Sequence, residues 1–508
     1  MNLINPNPSE ILLAAVDLGS NSFRLEIGRF EHGQIQRVDY LKEAVRQGGD
    51  LDEDRNLTPE AIDRGLKCLA RFGETLKGFP AHHVRAVATQ TLREAKNRDE
   101  FLTLAKKALG YDVEVISGTE EARLIYQGVS RLLPQSNDRR LVIDIGGRST
   151  EFIIGQQFTA KTTDSLRVGS VAWSLKYFSD AQLSERNFER AEIAAESFLD
   201  MITDTYQRKH WDIAYGASGT VGAVADILSY VGFRENVITH EGLVWLREQL
   251  IRAKSVDKLN LYGLKDDRKA VIAGGLSILL AVFDILKLDT LNVARGALRH
   301  GLLFDMIAEE DAAEDLRDTS IFGLTTRFGA NKSQASNVSK VALRFFDALV
   351  PTLSIYDDEA HELTKLKQIL GWAAYCHEIG CAISHSESHR HGAYILDNTE
   401  LMGFARSELH RLSLLVLGHY GKLRKLDADF EDEGFICQLI ALRLAVIFCH
   451  SRNMPVLKNI KFDRQEKAFI LKLPKSWQHS FPQTCYLLEE EVIAWQKINW
   501  NLVINTTD

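Results

Sequence analysis

Positive charge is in short supply. The chain carries 61 Lys and Arg against 69 Asp and Glu, a net charge of −8 over 508 residues, so wholesale binding to nucleic acid or to an anionic membrane is excluded, and any polyanionic ligand must find its cations clustered. Cysteine is equally scarce. Six (Cys68, Cys376, Cys381, Cys437, Cys449, Cys485) are scattered, and the one close pair, Cys376 and Cys381, fits no zinc template, which points to reduced core residues of a cytosolic protein rather than to disulfides or a zinc site. No long apolar run is present. Val271 to Phe283 is broken by a glycine pair and ended by Asp284, short of the roughly 20 residues a membrane span requires. The start, MNLINPNPSE, has no basic segment of the kind that opens a signal peptide. The expectation is a cytoplasmic protein without integral membrane contact, associated with a membrane peripherally if at all. With 45% hydrophobic and 26% charged residues, nothing argues for disorder, and the length allows roughly three or four domains.

What is present is concentrated in one stretch, Leu141 to Gly155, LVIDIGGRSTEFIIG. An apolar run enters a Gly-Gly turn and a second leaves it, with Asp144, Ser149 and Glu151 at the turn. Glycine lets backbone approach an anion, successive N–H groups in a turn form an anion-binding concavity, and two carboxylates beside such a bed call for a divalent cation. Alone, the turn reads equally well as an ordinary hairpin. Val16 to Gly28, VDLGSNSFRLEIG, repeats it: with Asp17 set on Asp144, Gly19 falls on Gly146, Ser22 on Ser149, and Ile27-Gly28 on Ile154-Gly155. Two strand-turn-strand clamps imply a duplicated fold.

The rest follows in order. Three strands lie in residues 11–41, joined by the DLGSN turn and a turn at His32-Gly33. A helix follows from the cap Thr58 ahead of Pro59, then strand 84–88, helix 100–109, strand 113–116 and helix 118–133. The second half repeats this: strands at Leu141, Glu151 and Thr159, a long helix through Glu189 to Tyr206, strand 213–216, helices over 221–230, 241–252 and 271–286, strand 291–293 and helix 298–307. Three strands followed by alternating helix and strand describe an actin-like, ribonuclease-H-like half. The acidic junction Glu309 to Asp318 divides this α/β part from a mainly helical one, with helices over 333–349, 361–377, 408–419 and 434–450, a hairpin in 456–474 and a final helix over 487–498. The expected domains are 1–128, 129–310, 311–450 and 451–508, the last a small α+β piece.

Three further features carry chemistry. Ser117-Gly-Thr-Glu120 is a capping box that engages Glu120 and leaves Glu121 free at a helix start, where it can serve as a general base to water or merely complement the helix dipole. Arg93 follows strand 84–88 directly, where a guanidinium can hold phosphate oxygens; singly, it reads as a surface ion-pair partner. Gly216-Ala-Ser-Gly-Thr220 is a weaker anion cradle, and it lacks the spacing that would make Ser218 a nucleophile.

Taken together, DLGSNS, ATQTLREAKN, ISGTEEARLIYQGV, VIDIGGRSTE, GASGT and GALRHG resemble the bacterial exopolyphosphatase and guanosine-pentaphosphate phosphohydrolase family, in its long form with a helical HD-like domain and a small C-terminal piece. The resemblance implies Glu121 as general base and Mg²⁺ at Asp144 and Glu151, with Asp17 of the first turn alongside. It implies a phosphate site formed by Gly19, Ser20, Asn21, Ser22, Gly146, Gly147 and Ser149 with Arg93, release of a terminal phosphate, and a homodimer. Arg148 stands where the family has a third glycine, narrowing the turn or adding a phosphate contact; Arg295 and His300 stand where it has acids. The HD-like region shows His377-Glu378 in place of a His-Asp metal pair, which makes it an inactive one. Its His377, His385, His389, Arg390 and His391, with Lys422, Arg424 and Lys425, offer a path for a polyanion. The expected activity is hydrolysis of the terminal phosphoanhydride of inorganic polyphosphate. The alternatives are the same chemistry on guanosine pentaphosphate (pppGpp), an actin-like kinase or ATPase, and a non-catalytic sensor of either anion.

Overall fold

The computed structural model describes residues 11–31, 34–134, 136–294, 296–311, 316–353, 359–399 and 401–507. The expected His32-Gly33 turn, Arg295 and the middle of the acidic junction lie outside them. The chain divides into two compact units, Met1–Ala313 and Glu314–Asp508.

The first unit holds β1 (Ile11–Leu18), β2 (Phe23–Glu31), β3 (Gln34–Glu43), α1 (Pro59–Thr75), β4 (Val84–Ala88), α2 (Gln90–Glu94), α3 (Arg98–Leu109), β5 (Val113–Val115) and α4 (Gly118–Ser130). The repeat follows with β6 (Arg139–Ile145), β7 (Thr150–Gln156), β8 (Thr159–Leu166), α5 (Ser170–Tyr177), α6 (Glu185–Leu199), β9 (Ile213–Ala217), α7 (Ser218–Tyr230), β10 (Val237–Thr239), α8 (His240–Ala253), α9 (Asp266–Lys269), α10 (Ile272–Leu286), β11 (Thr290–Val293) and α11 (Leu298–Asp311). The sheets run β3-β2-β1-β4-β5 and β10-β11-β9-β6-β7-β8. With β6, β7, β8, β9 and β11 set on β1 to β5 the two orders coincide, and β10 is an added antiparallel edge. The duplication extends to a defect: the second and third strands of each sheet slip register at Ile27/Gly28 and at Ile154/Gly155. A Cβ on Gly155 would lie 2.2 Å from the Tyr126 ring, so the bulge is where one strand must let a helix residue approach.

Strand β1 is apolar on both faces because it is central, and its residues alternate between two cores. Ala14, Val16 and Leu18 enter the core of the first half, whereas Leu13 and Ala15 join Val142, Ile153, Leu124, Tyr126, Leu302 and Leu303 in a layer shared by both sheets. That layer is built on α4 and α11, which cross closely: a Cβ on Gly301 would sit 1.9 Å from the Leu124 carbonyl oxygen. The helix expected to run through Tyr206 ends at Leu199, and the chain beyond turns so that the Tyr206 hydroxyl donates to the Phe152 carbonyl at 2.8 Å and to Asp164 at 3.0 Å.

The second unit contains α12 (Leu316–Arg327), α13 (Lys332–Leu349), α14 (Glu359–Cys376), α15 (Ser388–Asn398), α16 (Arg406–Gly418), α17 (Glu433–Phe448), β12 (Lys461–Gln465), β13 (Ala468–Pro474), α18 (Trp477–Ser480), α19 (Pro482–Trp495) and β14 (Asn501–Thr507). Strand β14, absent from the sequence reading, extends the expected hairpin by pairing parallel to β13; Trp500, just before it, stacks on Phe469 at 5.2 Å. Helix α17 is buried on nearly all sides, and its Arg443 donates to both oxygens of Glu491 on α19, one at 2.7 Å. No helix among the described residues is long and apolar enough to cross a membrane.

Candidate functional site

Two glycine turns meet at one cleft in the first unit. In the β6–β7 turn the Gly146 N–H donates to the Ser149 carbonyl at 2.9 Å. A Cβ on Gly146 would fall 3.0 Å from that oxygen, as one on Gly19 would fall 3.1 Å from the Ser22 carbonyl. The repeated residues thus fold into the same turn. Gly147 lies against Ser20, its missing Cβ 3.0 Å from the Ser20 Cβ. Both turns line a cavity of about 320 Å³ with Asp17, Gly19, Ser20, Asn21, Ser22, Glu121, Asp144, Gly146, Gly147 and Ser149 on its wall.

The carboxylates sit behind and beside these turns. Burial, with Glu121 and Asp17 adding to it against Arg24 and Arg299, pushes the Asp144 carboxyl up to about 7. Burial and the neighbouring Glu121 and Asp144 push Glu151 well above the carboxylate range, although Ser165 donates to it at 2.9 Å. Asp17 is met by Arg24 at 3.2 Å and Arg299 at 3.9 Å. All of these donors are hard oxygens, and their negative charge is only partly matched by cations, which suits Mg²⁺. Among the described residues no three such side chains converge into a metal cage, and Mg²⁺ does not require one, since it keeps waters and takes substrate phosphate oxygens.

Glu121 lies in the first turn of α4, where Ser117 Oγ accepts from the Glu120 N–H at 3.1 Å. The Ser117 half of the expected capping box forms, and the side chains of the two acids divide. Glu120, fully buried, receives Arg123 at 2.7 and 2.8 Å, and Arg123 continues to Asp305 of α11 at 2.9 Å. Glu121 is not the free carboxylate the capping argument left, because Arg93 Nη1 donates to it at 2.8 Å. Arg93 also donates to Gln90 at 2.8 and 3.0 Å and to the Ile116 carbonyl at 3.0 Å. Its guanidinium is therefore committed to the carboxylate beside the cleft. Arg148, read as a phosphate contact, points its guanidinium to Glu94 at 2.6 Å and to the Gly48 carbonyl. Neither Arg93 nor Arg148 lines the cavity, and Glu151 stands behind it. His300 pairs with Glu26 at 3.3 Å. Burial of Glu26 is outweighed by His300, Arg299 and Arg37, which hold it down at about 2.

Sequence reasoning missed the cleft's cations. Arg24, Lys42, Arg268 and Arg299 stand on the same wall with Tyr40 and with Ser218, Gly219 and Thr220 of the third glycine turn. Arg24 was findable, since hairpin register sets it opposite Asp17, and Arg299 lies inside GALRHG. Lys42 and Arg268 carry no local signal. Lys42 meets Asp267 at 3.2 Å across 225 residues of chain.

In the second unit a separate cavity of about 280 Å³ is lined by His389, Arg390, Lys422 and Lys425. His391 and the exposed His385 and Arg424 are not on its wall. His377 is buried, its Nδ1 2.6 Å from the Ala374 carbonyl and its ring 5.7 Å from His419. Glu378 pairs with Arg452 at 2.6 Å.

Residues 27–310 match the Ppx/GppA phosphatase family and residues 316–492 match Ppx/GppA phosphatase, domain III. A guanosine-5'-triphosphate,3'-diphosphate pyrophosphatase of Vibrio atlanticus is 39% identical over 97% of this chain and 98% of its own length. A protein of the same name from Pseudoalteromonas translucida is 37% identical over 98% and 99%. The crystal structure of the Aquifex aeolicus Ppx/GppA family member superposes with a TM-score of 0.51 at 25% identity, over 60% of this chain and all of that one. An exopolyphosphatase from Cytophaga hutchinsonii shares the fold, with a TM-score of 0.53 at 24% identity over 59% of this chain and 98% of its own. The duplicated sheets with their paired glycine turns, the helical second unit and full-length similarity at this level place the chain in the Ppx/GppA phosphatase family of phosphoanhydride hydrolases.

Proposed function

We propose that the protein hydrolyses the 5′-terminal phosphoanhydride of guanosine 5′-triphosphate 3′-diphosphate (pppGpp), releasing orthophosphate. The observation that carries the chemistry is Glu121, set at a helix start on the wall of the cavity that both glycine turns line. Backbone N–H groups of the turns, with Ser20, Ser22 and Ser149, bind the terminal phosphate. Glu121 orients the attacking water and takes its proton, and Arg93 holds that carboxylate in place. Arg24, Arg268 and Arg299 offset charge on the remaining phosphates. Asp144, Glu151 and Asp17 are the residues that would hold Mg²⁺, which when bound offsets the charge that develops on the leaving oxygen. The guanosine substrate is favoured over inorganic polyphosphate by the relatives, which carry that name at 37–39% identity along their full length. Polyphosphate remains the second reading because of the basic cavity of the second unit. Orthophosphate release measured in parallel from pppGpp, long polyphosphate and ATP decides. A kcat/KM at least about tenfold higher for pppGpp is expected; a preference for polyphosphate or ATP overturns the proposal.

A further inference from the structure

Arg148 departs from the glycine run of its turn, and its guanidinium turns away from the cavity. On Nη2 it donates to Glu94 Oε2 at 2.6 Å, and on Nη1 to the Gly48 carbonyl. Gly48 in turn donates its N–H to the Ser20 carbonyl at 2.7 Å, so the arginine side chain of the second turn braces the first. From Glu94 a line of hydrogen bonds continues. Gln90 Nε2 donates to Glu94 Oε1 at 2.6 Å, Gln90 Oε1 accepts from Arg93 at 2.8 and 3.0 Å, and Arg93 Nη1 donates to Glu121 Oε2 at 2.8 Å. Donor and acceptor alternate at every step, which fixes one orientation of the Gln90 amide. Gln90 is buried, and the side chains of Glu94, Arg93 and Glu121 are 10–11% exposed; a chain of this kind in low dielectric is rigid when complete and costly when broken.

We propose that Arg148 is a positioning residue for Glu121, acting through Glu94, Gln90 and Arg93, so that the phosphate turn of the second half is mechanically coupled to the proton acceptor at the start of α4. The coupling rests on the reading of Glu121 as general base. Its logic is competition. Gln90 stands between Glu94 and Arg93, Arg93 stands between Gln90 and Glu121, and Glu94 is charge-matched by Arg148 and by the nearby Arg167. With Arg148 removed, Glu94 loses its hydrogen-bonded cation and draws on Arg93, the guanidinium that orients Glu121. Misplacement of a catalytic group by about 1 Å can cost on the order of 100-fold in rate, so even partial diversion of Arg93 registers in turnover.

Steady-state kinetics on pppGpp with the full-length protein tests this. Arg148→Met should lower kcat about tenfold or more with KM changed by less than about twofold, the signature of an interaction expressed in the chemical step rather than in ground-state binding. Arg148→Lys should retain an intermediate kcat. The decisive variant is the double R148M/E94Q: a neutral amide in place of the Glu94 carboxylate does not compete for Arg93, so the second substitution should restore most of the lost kcat. A raised KM with unchanged kcat in R148M would show that Arg148 binds substrate directly and overturn the proposal, as would a double variant no better than R148M. Comparing thermal unfolding of R148M and R148M/E94Q separates rescue of turnover from rescue of folding; parallel recovery of Tm and kcat would also overturn it. Glu121→Gln distinguishes the two ways of failing. Wild-type turnover in E121Q removes the general base and the relay together, whereas an inactive E121Q beside a wild-type R148M removes the relay alone.

Discussion

Asp144→Asn should make the protein more stable at alkaline pH while weakening its recovery of activity with Mg²⁺. Asp144 is buried on the cleft wall with Glu121 and Asp17 near it, and burial with those charges pushes its carboxyl up to about 7 against 3.8 for the ordinary group. A folded-state pKa raised in this way means that the native state binds the proton more tightly than the unfolded chain does. The carboxyl's contribution is therefore most favourable below pH 3.8 and is lost progressively as pH rises to about 7. At about 1.4 kcal/mol per unit, the ionised carboxylate costs the native state on the order of 4 kcal/mol above pH 7, relative to the protonated one. Asparagine has no such dependence. The stability difference between D144N and the parent should therefore widen in favour of D144N by about 2–3 kcal/mol between pH 5 and pH 8. Urea unfolding of both proteins at the two pH values, in chelator, measures this. Adding Mg²⁺ at pH 8 should then stabilise the parent more than the variant, because a ligand held by the native state alone raises its stability. A difference that is the same at pH 5 and pH 8 would refute the reasoning, since it would mean that Asp144 is not penalised for its charge in the folded cleft.

Four further outcomes are expected. Glu121→Gln should lower turnover by roughly 10² to 10⁴-fold with an unchanged far-UV spectrum, and an orthophosphate-release assay giving near-parent rates would remove it from the reaction. Activity should disappear in excess chelator and return with Mg²⁺, with weaker recovery in D144N; full activity in chelator would rule out the metal. Gly155→Ala places a methyl 2.2 Å from the buried Tyr126 ring, so it should cost about 1–3 kcal/mol in urea unfolding, and a shift below about 0.5 kcal/mol would show that the bulge yields. Glu491→Ala leaves the Arg443 guanidinium buried without its carboxylate, a loss of about 3–5 kcal/mol that a Tm unchanged from the parent would contradict.

Much of the first unit is determined by the sequence itself, because the signals are local. The spacing of Asp17, Gly19, Ser22 and Ile27-Gly28 against Asp144, Gly146, Ser149 and Ile154-Gly155 announces two copies of one turn, since a glycine whose Cβ would strike the carbonyl three residues on fixes its turn from within it. Thr58 ahead of Pro59 and Ser117 ahead of Glu120 start their helices by hydrogen bonds spanning three residues. The tertiary structure alone decided which charges meet. Glu121 and Arg93 are 28 residues apart, and Arg299 reaches Glu26 across 273; no periodicity records such pairs, because they follow from which strand ends and helix starts two folded sheets bring to one cleft. Strand β14 was invisible for a similar reason: NLVINTT has no strong pattern of its own, and it is a strand only because β13 offers its edge. The sequence determines the two glycine turns, since their geometry is a property of neighbouring residues. Whether Arg93 and Arg148 face the cavity or the carboxylates beside it was decided by long-range packing, which leaves each guanidinium on a carboxylate within its reach.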